Sequence, residues 1–177
     1  MLKAIIAVFA CAVAVVAHAQ DTRAVEMLKQ KGFVKCADRL ARVTEFLHGK
    51  STYAFLNVWN SAAPDTHAAA TTTGRNYADG PGYAFITSVP VASGCDATFT
   101  QIFLADDTCT KVRETVFEKW KFFSDLAGGA VYEDPTTSNV NVILSPVKSG
   151  CLVVKTGILF FGEPKPEQPR SDSGQKM

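Results

Sequence analysis

KVRETVFEKWKFFSDLA, residues 111–127, is the stretch on which the fold turns. Val112, Val116, Trp120, Phe123 and Ala127 recur every three or four positions and fall on one face of a helix, a stripe that Phe117 and Leu126 widen. Lys111, Glu114, Glu118, Lys121 and Asp125 lie largely outside it. Asp106 and Asp107 stand upstream, where negative charge complements a helix N-terminus, and Gly128-Gly129 follows as a terminator. The spacing predicts a single helix over 111–127, with an aromatic face broad enough to need a sheet beneath it.

Segments that read as strands lie on both sides. Before the helix, 52–59 (TYAFLNVW) is apolar on both faces and reads as a covered or central strand, with Trp59 in the core. Residues 67–73 form a weaker, polar strand suited to an edge, and GRNYADGPG at 74–82 reads as a loop. Residues 83–90 and 97–104 alternate and are joined by Ser93-Gly94-Cys95-Asp96, which predicts a hairpin. After the helix, 130–132, 139–144 and 151–161 supply three more strands, and the run Ile158-Leu159-Phe160-Phe161 is suited to burial on both faces. Residues 21–49 read as helix in two pieces joined near Gly32-Phe33, and Gly49 closes the second. No internal repeat is read. The order α-ββββ-α-βββ predicts a single α+β domain over 20–162, mainly an antiparallel sheet with the central helix and the N-terminal helix on one face.

The ends read differently. Lys3, the apolar run 4–16 and Ala17-His18-Ala19 have the pattern of a secretory signal peptide over 1–19, which places the protein in the periplasm or outside the cell. The run is too short for a comfortable bilayer span, and no second long apolar segment follows. Residues 163–177 are rich in proline and charge and read as a flexible tail. Removing Lys3 brings Lys+Arg from 18 to 17, equal to the 17 Asp+Glu, so the processed chain is formally neutral. A neutral chain offers no electrostatic basis for nucleic-acid binding.

Four cysteines remain after processing: Cys36, Cys95, Cys109 and Cys151. An even number in an exported domain predicts two disulfides, and the spacing lacks the close cysteine pair of a zinc site. If the strands meander with three after the helix, Cys95 and Cys151 reach the same end of the sheet. That favours Cys95–Cys151 and leaves Cys36–Cys109.

No catalytic constellation stands out, and no metal or cofactor is implied. The processed chain holds two histidines, His48 and His67, which as an acid–base pair would serve a small secreted hydrolase. The acidic pairs Asp106-Asp107 and Glu133-Asp134 read as a helix N-terminal charge and a loop. Arg75, Asn76, Tyr77 and Tyr83 flank the glycine-rich loop and are of the types that anchor interfaces. Thr71-Thr72-Thr73 would offer a second docking point if it formed an open edge. The sequence therefore favours an exported, non-enzymatic protein that binds a protein or small ligand, in the manner of an inhibitor, an immunity-type protein or an envelope accessory protein.

Overall fold

The computed structural model describes residues 22–160; the signal-peptide reading of 1–19 and the tail at 163–177 lie outside the described residues. Two helices come first, α1 (Arg23–Gln30) and α2 (Ala37–His48). Four strands follow: β1 (Ala54–Val58), β2 (Ala69–Tyr77), β3 (Gly80–Val91) and β4 (Gly94–Ala105). A short α3 (Cys109–Thr115) precedes β5 (Lys121–Leu126), β6 (Gly129–Glu133), β7 (Val140–Val147) and β8 (Gly150–Phe160). All eight strands form one antiparallel sheet in the order β1-β2-β3-β4-β8-β7-β6-β5. The α+β class, the antiparallel sheet and the helices on one face are as expected.

The central helix is not. It stops at Thr115, and the residues that were to continue it form β5. Arg113 explains the stop: its guanidinium donates to the carbonyl oxygens of Phe117, Glu118 and Trp120 at 2.7, 2.8 and 2.9 Å, so the chain leaving the helix is satisfied without further turns. Of the proposed stripe, Val112 is buried and Trp120 partly so, whereas Val116 and Phe123 are exposed. Gly128-Gly129 is no helix terminator either. Leu126 pairs with Gly129 across a two-residue turn in which Ala127 (φ 48°) and Gly128 (φ 83°) both take positive φ, the requirement of a type I′ hairpin.

The extra strand corrects the disulfides. One more reversal brings the chain into β8 at the end where β4 finishes, with Cys151 opposite Ala105, so Cys95 and Cys151 lie at opposite ends of the β4–β8 pair. Cys95 instead bonds Cys36 (Cα–Cα 5.6 Å) and Cys151 bonds Cys109 (4.9 Å). Each bridge ties the start of a helix to the second residue of a strand in its own half of the chain.

That regularity reveals an internal repeat. Pro90-Val91-Ala92-Ser93-Gly94-Cys95 and Pro146-Val147-Lys148-Ser149-Gly150-Cys151 share five of six residues, and Thr100 and Ile102 recur at the same offset as Thr156 and Ile158. Both copies form the same hairpin: Val91 pairs with Gly94, Val147 with Gly150, and the two glycines have φ 148° and 143°. The chain is thus two α-ββββ units joined at β4–β8 about an approximate two-fold axis normal to the sheet. Thr100 and Thr156 are direct partners across that junction, their hydroxyls 3.2 Å apart.

The core lies under the helices. Leu28, Phe33, Leu40 and Val43 pack on Ile86, Ala97 and Phe99, while Val112 and Phe117 pack on Leu144 and Val153. Register places these sheet residues on one inner face. No described helix lies on the other.

Candidate functional site

The sequence-predicted residues do not gather. His48 is buried at the end of α2, its Nε2 2.7 Å from the Thr73 hydroxyl and its ring stacked 4.7 Å from that of Tyr53. His67 is exposed beside the turn Pro64–Thr66. It lies six residues from Thr73, mostly along β2, roughly 20 Å of extended chain, so the two imidazoles have no direct proton path. Two acids serve the backbone: Asp65 accepts from the amides of Val34 and Lys35, and Asp134 accepts from the amides of Thr136 and Thr137. Among the described residues, no three His, Cys, Asp or Glu side chains cluster as metal ligands would.

GRNYADGPG is a hairpin tip, not an open loop. Arg75, Asn76 and Tyr77 extend β2, and Gly80–Gly82 begin β3, around the two-residue turn Ala78-Asp79. Pleating then divides the four candidates. Arg75 and Tyr77 share the inner face, where the guanidinium covers the Tyr77 ring at 4.3 Å and the Tyr77 hydroxyl accepts from Gln101 at 2.7 Å. Asn76 and Tyr83 point to the outer face. The threonine run is no edge either, because β1 pairs along β2, and Thr71 and Thr73 are buried.

Sequence reasoning passed over Lys155. It stands on the inner face between α2 and the segment after α3, its Nζ 4.2 Å from the Phe46 ring centre and 5.7 Å from that of Trp120. Burial lowers its pKa below the ordinary lysine value, against an opposing pull from Asp134. The signal was available: Lys155 falls in phase with Val153 and Gly157, on the buried side of CLVVKTGILF.

The feature best suited to recognition is the outer face. One register row reads Tyr83, Ile102, Val154, Ile143 across β3, β4, β8 and β7; the next reads Leu56, Thr72, Phe85, Thr100, Thr156, Asn141 from β1 onward. Beyond these come Val58, Thr87, Thr98 and Ile158, then Val89, Asp96 and Phe160. Among the outward positions of β1–β4, β8 and β7, Asp96 is the only charged side chain. The apolar residues are truly open: Leu56 is 73% exposed, Val58 69%, Phe85 49% and Phe160 63%. Here β1, expected to be covered, is an edge strand, and the run 158–160 is buried only at Leu159 and to a degree. The apolar residues that implied burial on both sides of the sheet are the candidate binding surface. Exposed apolar surface of this breadth makes the face a candidate interaction surface.

No protein-family model matches the chain, and neither a curated protein nor a solved structure matches it.

Proposed function

We propose that this is an exported, non-enzymatic binding protein that docks its partner on the outer face of the sheet. The observation that carries this reading is the uncovered row Phe85–Thr100–Thr156 with its apolar flanks, a surface whose exposure to water costs free energy until something covers it. Support for export comes from the leader pattern of residues 1–19 and from two disulfides, which persist in oxidising compartments. The inner face gives the hydrolase alternative little footing, since His48 is committed to Thr73 and Tyr53.

The test is site-specific photocrosslinking in the compartment where the protein resides. A benzophenone side chain replaces Phe85 on the outer face in one variant and exposed Arg42 on α2 in another. Discrete adducts from position 85 and none from position 42 are expected. Adducts only from position 42, or from neither, would remove the outer face from consideration.

A further inference from the structure

Resting on that reading, we infer that the occupant of the outer face is a second copy of this chain, packed sheet against sheet. Charge is the first reason. A surface that selects a foreign partner gains specificity and speed from complementary charges, and this one carries a single carboxylate, Asp96, at its margin. A two-fold interface brings the same patch of both copies together, which an uncharged centre permits without like-charge contact.

Shape and size are the second. In the row Leu56–Thr72–Phe85–Thr100–Thr156 the threonines leave shallow positions beside the projecting Leu56 and Phe85, next to the bulkier Tyr83–Ile102–Val154 row. Stacked sheets in sandwiches bury such rows against each other about 10 Å apart, rotated by about 30°. The central five strands, β2, β3, β4, β8 and β7, span about 24 Å by 30 Å, roughly 700 Å², from usual strand spacing and rise. Two such faces would bury about 1,400 Å² together, within the roughly 1,200–2,000 Å² of a stable protein interface.

The chain outside the structure offers a poorer cover. Residues 161–177 continue directly from β8 as FGEPKPEQPRSDSGQKM, in which only Phe161 and Met177 are large and apolar. The apolar run 4–16 belongs to the segment with the leader pattern. The helical layers stay clear in a back-to-back dimer, so in both copies Lys155 and the Arg75–Tyr77 cluster remain on the inner face, away from the contact.

The experiment is sedimentation of the protein purified, with its disulfides formed, from an oxidising compartment. A dimer is expected at about 10 µM, a concentration that a standard-size interface readily supports. Thr98→Lys and Phe85→Glu, both at exposed outward positions, should each raise the dissociation constant about a hundredfold or more by burying an unpaired charge in the contact. Arg42→Glu on the helical side should leave it unchanged. Far-UV circular dichroism guards against unfolding, and Thr98→Lys removes no packed apolar group. A monomeric wild type, or a dimer indifferent to both outer-face changes, overturns the inference. If the wild type is monomeric while position 85 still yields adducts with other proteins, the partner is foreign and the binding reading survives. If position 85 is shielded only when residues 1–21 are present, the chain's own N-terminus is the cover and the dimer is refuted. With neither dimer nor adducts, both readings fall.

Discussion

Lys155 shows how much a single side chain changes once its face is known. Its stem packs where an apolar residue would serve, and its ammonium lies against Phe46 and Trp120 without an ion pair among the described residues. Two effects oppose each other: the ring faces attract the cation, and burial penalises it. For its pKa, burial outweighs the opposing pull of Asp134 and sets the value below that of an ordinary lysine. A lysine whose pKa is lower in the folded than in the unfolded state costs stability while it is charged in both. The cost disappears as pH rises through the folded pKa towards 10.5. Lys155→Met, similar in shape and without charge, should therefore melt above the wild type at pH 7, and the difference should close as pH approaches 10.5. Thermal melts of the two proteins across that range check the sign; a methionine variant that melts lower at pH 7 would mean the rings' attraction dominates. The same residue marks where sequence reading fell short. Loop composition pointed to Arg75, Asn76, Tyr77 and Tyr83, but pleating sends alternate residues to opposite faces, and a two-residue turn made strand out of loop.

At the scale of elements, residues 120–127 carry two patterns at once. Trp120, Phe123 and Ala127 fit a helix face, while 121–126 pairs just as readily as a strand once Ala127-Gly128 turns the chain. Periodicity could not decide between them, because the deciding contacts are remote from it: the Arg113 guanidinium on three carbonyls, and the Cys109–Cys151 bridge at the base of α3. The sign of one substitution separates the two structures. In a helix, Ala127→Gly would cost about 1 kcal/mol. At φ 48° a Cβ is strained, so the same change should raise stability by about 1 kcal/mol in this hairpin. Denaturant titration of Ala127→Gly reads that sign directly, and a loss would restore the long helix. By contrast, the N-terminal helices, the β3–β4 hairpin and the strand at 151–160 were legible, since their alternation or helical stripe matches a real inner face. The repeat was hidden for a different reason. Its identity is confined to the β3–β4 and β7–β8 hairpins, and the paired cysteines are 59 residues apart in one half and 42 in the other. Outside those hairpins, only the topology aligns the two halves.

For the whole molecule, burial and charge separate by layer. The helices carry Lys29, Asp38, Arg42, Lys111 and Glu114 outward, the inner face holds the core, and the outer face from β1 to β7 is nearly devoid of charge. This separation accounts for the misreading of β1 and of 158–160: apolar residues on both sides of a strand imply cover on both sides, and among the described residues only one side has it. It also specifies how association should respond to salt. Contacts between exposed charges weaken as ions screen them, over about 10 Å at 0.1 M. Burial of apolar surface is insensitive to that screening and is strengthened by excluded salts such as sulfate. Association through the helical layer would bring its charges into play and respond steeply to ionic strength. Association through the outer face should change by less than about threefold in dissociation constant between 0.05 and 0.5 M sodium chloride, because no charged pair forms at its centre. It should also tighten in sulfate and show a negative heat-capacity change by calorimetric dilution. A tenfold weakening over the same salt range would place the contact among the charged helices and leave the outer face unaccounted for.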